Sequence, residues 1–173
     1  MLMFYLIGIE GKDLYYLGKQ RNGRIYYDRF KKGKEFSIRL EPEALEIIKR
    51  YKGKKMLLNA SEKFKDHRIF FRFINHNISG NKPRNVHGIL PRLNIQKNVT
   101  TKWARHTWAT LARNDCKISM DDISFSLGHT NKNNLVTDMY IKHDTSIIDE
   151  SNRKVIDFVN LHCTSLDVPL DDK

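Results

Sequence analysis

The chain is 173 residues long, enough for one domain to bury a proper core. Its 31 Lys and Arg against 20 acidic residues give a net charge of +11 and a pI near 9.7. That excess favours a polyanionic partner, nucleic acid before an anionic membrane surface. Two isolated cysteines, Cys116 and Cys163, exclude a disulfide framework and suggest a reducing, cytoplasmic setting, and the scattered histidines offer no zinc-ligand spacing.

The opening "MLMFYLIGI" is apolar for only nine residues before Glu10. A membrane-spanning helix needs about 20, and no basic segment precedes the run, so neither a span nor a signal peptide is expected. We expect instead a core helix over residues 1 to about 17, weakened at Gly8 and Gly11. A core helix without any lead-in suggests that the chain is N-terminally truncated.

Residues 21–40 read as a β-hairpin: Asn22-Gly23 marks a turn, Ile25 and Tyr27 alternate with polar residues, and Lys32-Gly33 turns into Phe36, Ile38 and Leu40. A short amphipathic helix follows from Glu41, with Pro42 near its start and Gly53 beyond its end. The stretch 61–78 predicts another helix, after which Pro83 and Pro91 forbid any long one. Residues 101–115, "TKWARHTWATLARND", predict a helix packed through Trp108, Ala109 and Ala112. Ser119 and Asp122 stand in capping-box-like spacing at the start of the next helix, which stops at Gly128. The last helix, over about 146–162, carries a stripe of Ile147, Ser151, Val155, Phe158 and His162 beside Ile148 and Val159, ahead of an acidic tail. The pattern is α+β, mainly α-helical with a small antiparallel hairpin. No linker divides it, so residues 1–173 read as a single domain, with 145–173 forming a C-terminal helix and tail.

Arg105 lies along the packed face of its helix, and a guanidinium cannot shed its charge. Held near a core, it needs an anion. Four features then line up in chain order: Lys31 at the hairpin turn, "KWAR" from Lys102 to Arg105, "LGH" ending at His129, and Tyr140 eleven residues on. With "ARHTWAT" and "SLGHTN…MYIKHD" beside them, they resemble the catalytic domain of the tyrosine recombinases, the phage-integrase family, in the manner of mobile-element integrases. The likeness runs from about Tyr5 to Phe158.

The resemblance implies that family's fold and its chemistry, DNA strand breakage and rejoining through a covalent 3′-phosphotyrosine. Tyr140 corresponds to the nucleophile, and Arg105 to the second of two phosphate-clamping arginines. Lys102 corresponds to the His or Lys three residues earlier, and His129 to the contact on a non-bridging oxygen. Lys31 corresponds to the hairpin lysine that protonates the leaving 5′-oxygen, with Lys32 a near-equal candidate, and Asp13 to a supporting acid. His106, beside Arg105, is a candidate DNA contact. The implied partners are double-stranded DNA and further copies of the chain on DNA, with no membrane, small-molecule substrate, cofactor or metal. The family's core-binding DNA-clamping domain is absent from this chain.

Two departures stand out. Glu10 occupies the place of the family's first arginine, and a carboxylate cannot clamp a phosphate. Losing one such donor costs ~10²–10³ in rate. Lys12, Arg24 and Arg29 are the candidate replacements. Tyr140 also lies about two residues further from the "LGH" histidine than the family's spacing. The rival reading is a non-catalytic helix-turn-helix, with Ile123, Leu127 and Gly128 in the first helix and turn. A weaker third is a metal-independent nuclease or topoisomerase using the same tyrosine.

Overall fold

A computed structural model of the protein describes residues 1–28, 35–80, 88–129 and 144–163. They form a mostly helical α+β structure with one two-stranded antiparallel sheet. It divides into two units, Met1–Trp108 and Ala109–Lys173.

In the first unit the apolar opening forms two short helices where one was expected, α1 (Leu2–Tyr5) and α2 (Gly11–Tyr15). The break falls at Ile7 and Gly8, both left-handed at φ 56° and 62°. Gly8 N–H donates to the Met3 carbonyl at 2.8 Å and Ile7 N–H to the Phe4 carbonyl at 3.0 Å. That pair of bonds is the Schellman ending of a helix, with Ile7 where glycine usually stands. A left-handed backbone costs a residue other than glycine roughly 1–2 kcal/mol. Burial offsets it: Ile7 is 1% exposed, between Leu6 at 0% and Ile9 at 1%, and sequestering such a side chain contributes about 1.5–3 kcal/mol.

The hairpin forms as expected, with β1 (Arg24–Asp28) antiparallel to β2 (Glu35–Arg39). Ile25 pairs with Ile38 and Tyr27 with Phe36, which puts the apolar set of both strands on one face. Ile25, Phe36, Ile38 and Leu40 are all buried. Asn22 and Gly23, at positive φ, close a tight turn in which Arg21 and Arg24 exchange two 2.9 Å backbone bonds. The second expected turn, Lys32-Gly33, lies outside the described residues.

The helix α3 (Pro42–Arg50) begins with Pro42 in its first turn and buries Ala44 and Ile48. The helix expected over 61–78 is instead two, α4 (Ala60–Lys63) and α5 (His67–Ser79). Phe64 between them is extended, and the buried Tyr15 hydroxyl donates to its carbonyl. Asp66 then starts the new helix by accepting from Arg68 N–H at 2.6 Å. A single turn, α6 (Ile89–Arg92), contains Pro91, whereas Pro83 lies outside the described residues. The helix α7 (Trp103–Asn114) begins in this unit and continues past its last residue, Trp108. Trp108 and Ala112 are fully buried, yet Trp103 is 44% exposed, so α7 is less enclosed than its apolar content suggests.

In the second unit α8 (Met120–Ser126) has Ser119 as its N-cap, accepting from Asp122 N–H at 3.0 Å. The Asp122 carboxylate in turn accepts from the Ser119 hydroxyl at 2.7 Å. The expected stop is there: Gly128, at φ 62°, donates to the Phe125 carbonyl and His129 N–H to the Ser124 carbonyl, both at 2.8 Å. The last helix, α9 (Ser146–Cys163), packs on α8. Its buried face differs from the expected stripe. Ile148, Asp149, Ser151, Asn152, Val155 and Ile156 are buried, while His162 is exposed and stacks on Phe158 at 4.0 Å. The face is turned because the side toward α8 is centred on Ile148, Asn152 and Val155, a choice hydropathy alone does not make. Among the described residues no helix is long and apolar enough to cross a membrane.

The cap of α5 has a pH signature. Hydrogen bonds from the Arg68 side chain and N–H hold the Asp66 carboxyl at about 2, below its ordinary 3.8. A carboxyl depressed on folding stabilises the fold above its unfolded value, and that contribution is lost as pH falls toward 2. We expect α5 to lose helical circular dichroism between about pH 4 and pH 2. Asp66→Asn keeps a capping oxygen but cannot titrate, so its profile should be flatter over that window. Identical acid profiles for the two proteins would exclude this role.

Candidate functional site

The best-defined of the expected site residues is Arg105. It lies in the first turn of α7, three residues before buried Trp108 and seven before buried Ala112. Its guanidinium Nη1 donates to the Gly8 carbonyl at 3.1 Å. The residue itself is half-buried. Its backbone is held just as closely: a Cβ added to Gly8 would stand 2.4 Å from Arg105 Cα and 2.5 Å from its Cβ. Gly8 is therefore required twice, for its left-handed backbone and for the approach of α7. This bond fixes the direction of the guanidinium.

Lys102 stands one turn before Arg105 and is exposed; Arg105 N–H donates to its carbonyl at 3.2 Å. Lys102 is in the turn that leads into α7, not in the helix itself. The preceding residue is anchored from α5, because Asn75 Oδ1 accepts from Thr101 N–H at 2.9 Å. His106 is exposed. Two residues beyond Gly8, Glu10 is the N-cap residue of α2, and Lys12 in that helix is exposed. Asp13 is buried in α2. Arg24 lies on β1, half-buried, with its Nε donating to Ser37 Oγ on β2 at 2.8 Å. Of the three candidate replacements for the missing arginine, Lys12 is the one closest in sequence to Gly8, the residue against which Arg105 packs. Arg29, Lys31, Lys32 and Tyr140 lie outside the described residues.

His129 belongs to the second unit. It is exposed, and its backbone is set by the Schellman bonds that end α8. Among the other tyrosines, Tyr15 is a poor nucleophile: burial, reinforced by neighbouring Tyr16 and Asp66, pushes its phenol above the ordinary range. Tyr16 and Tyr26 are exposed. No group of three His, Cys, Asp or Glu able to hold a metal ion occurs among the described residues. The residue that sequence reasoning missed is Gly8 as the partner of Arg105; its signal was a glycine in an otherwise apolar helical run. Compared with models of protein families, with curated proteins and with solved structures, the chain matches none.

Gly8→Ala tests the seat of Arg105. The added methyl meets a helix backbone and the left-handed φ penalises it further, so we expect a loss of at least about 2 kcal/mol. For a chain this long that lowers Tm by roughly 4–8 °C. Gly18→Ala, where a Cβ would meet nothing within 4 Å, is the control and should change Tm far less. Equal melting shifts for the two would contradict the close approach.

Proposed function

We propose that the protein is a tyrosine recombinase catalytic domain that breaks and rejoins DNA strands through Tyr140. One observation carries the reading furthest. Arg105, the central residue of the motif series, is a half-buried guanidinium fixed by a main-chain carbonyl and by close packing of its own backbone. Preorganised donors of this kind stabilise charge that develops during a reaction, because they need not reorganise as it appears. Lys102, in the turn just before α7, adds an exposed second cation near the helix start.

In the proposed reaction the Tyr140 oxygen attacks the scissile phosphorus and gives up its proton to solvent. The P–O5′ bond breaks, and Lys31 supplies a proton to the leaving 5′-oxygen. Arg105 and His129 hold the non-bridging oxygens, and Lys102 reinforces them. The phosphotyrosine bond conserves the phosphodiester's energy, so attack by a 5′-hydroxyl reverses the step without ATP. A tyrosine, with a pKa near 10, needs such cationic surroundings to act as a nucleophile.

Incubation with a pool of nicked duplexes of mixed sequence should give a protein–DNA adduct that survives denaturant. Tyr140→Phe should abolish it while leaving DNA affinity within a few-fold. Arg105→Ala should slow adduct formation by ~10²–10³ with a smaller effect on binding. Tight binding without an adduct on any nicked duplex would favour the helix-turn-helix reading. An adduct that persists in Tyr140→Phe would move the nucleophile to Tyr16 or Tyr26.

Glu10 offers a second test. If Lys12 serves in place of the first arginine, Lys12→Ala should reduce adduct formation and Glu10→Arg should maintain or raise it. DNA affinity should also fall steeply with salt, since each neutralised phosphate contributes about −0.9 to the log–log slope. A silent Lys12→Ala would remove Lys12 from the site.

A further inference from the structure

Away from Arg105, the first unit has a groove of about 480 Å³ with an aliphatic floor and a lysine rim. Leu45, Ile48 and Lys49 project from α3 and Lys52 follows it, at the i, i+3, i+4, i+7 spacing of one helical stripe. The stripe changes from apolar to cationic along its length. Met56 and Leu57 line the groove from the following loop, and Lys19 from the chain beyond α2. Backbone bonds fix these walls: Leu57 N–H donates to the Leu17 carbonyl at 2.8 Å, Gly53 N–H to Leu57 at 3.1 Å and Asn59 N–H to Tyr51 at 2.8 Å. The groove is thus built before any ligand arrives.

The geometry points to a binding site for a medium-chain aliphatic carboxylate, its chain on Leu45, Ile48, Met56 and Leu57 and its head group met by Lys19, Lys49 and Lys52. No acidic residue lines the groove, and among the described residues none of the three lysines makes an ion pair. Two of them serve a second purpose, since cations near the last turn of α3 complement its dipole. Lys19 has no such role, because it comes from another element. Volume and lining agree with a small-molecule site, mainly apolar with a few convergent polar groups. A DNA backbone would use the lysines but has no need of an aliphatic floor. The site owes nothing to the recombinase reading and stands or falls separately.

The test is calorimetric titration of the intact protein with dodecanoate below its micelle concentration. We expect saturable 1:1 binding, with butyrate and dodecyltrimethylammonium each at least tenfold weaker. Lys49→Gln/Lys52→Gln and, separately, Leu45→Ser should each weaken dodecanoate at least tenfold; Leu45 is already 37% exposed, so its replacement spares the fold. Should the lysine pair fail to fold, the wild-type comparison of anionic and cationic amphiphiles decides. Absent binding, equal binding of the two amphiphiles, or dodecanoate affinity unchanged by a folded variant would overturn the proposal. Stoichiometric displacement of dodecanoate by a short DNA duplex would assign the lysines to a nucleic-acid surface and overturn it equally.

Discussion

Two consecutive left-handed residues, Ile7 and Gly8, set the geometry of the first unit. They end α1, turn the chain into α2 and leave a bare Cα where α7 comes to rest. Because Gly8 has no Cβ, the backbone at Arg105 approaches to a distance that no other residue permits. The same glycine offers its carbonyl to the guanidinium. One break therefore terminates a helix, admits another and orients the charged group that this second helix carries. Removal of any one of these parts disturbs the other two, since the carbonyl reaches Arg105 only if the backbone turns at Ile7.

The two Schellman endings show which part of this was legible in the sequence. Gly128 stops α8 by the same pair of bonds that stops α1, and there the signal was plain: a glycine just past an apolar-periodic run. In α1 the corresponding position is Ile7, a β-branched residue that intrinsic preference places among the last to adopt positive φ. Burial overrides preference there, and burial is a property of the folded unit rather than of any local window. The helix over 61–78 misled for a related reason. Nothing between Ala60 and Ser79 is a proline or glycine, so the pattern reads as continuous; the interruption at Phe64 comes with a hydrogen bond from Tyr15, 49 residues away. The antiparallel strand pair was read correctly because its information is local, in the alternation along both strands.

For the candidate site the division is similar. The position of His129 follows from the glycine before it. That Arg105 would first meet a neutral carbonyl was not legible. Its presence near a core implied a partner, but sequence cannot distinguish an anion from a main-chain oxygen, and Gly8 lies 97 residues away. A main-chain carbonyl fixes the direction of the guanidinium, and that direction is set by the backbone turn at Ile7 and Gly8.

Net charge is a weak guide to how these cations are used, and the contrast between two groups of them shows why. Lys102 and Arg105 occur where a helix begins, beside packed aromatic and small residues, with one of them locked by a main-chain bond. Lys19, Lys49 and Lys52 surround an aliphatic floor, two from the end of α3 and one from the chain beyond α2. Each cation of either group adds one charge toward the total of +11, yet their surroundings select different anions. A rigid guanidinium fork favours an oxyanion whose charge must be met in a fixed direction. Flexible ammonium groups over apolar carbon favour an anion that carries its own hydrophobic body. The excess charge thus divides by the stiffness of the cation and the polarity of what lies beneath it. These properties come from packing, and composition alone does not report them.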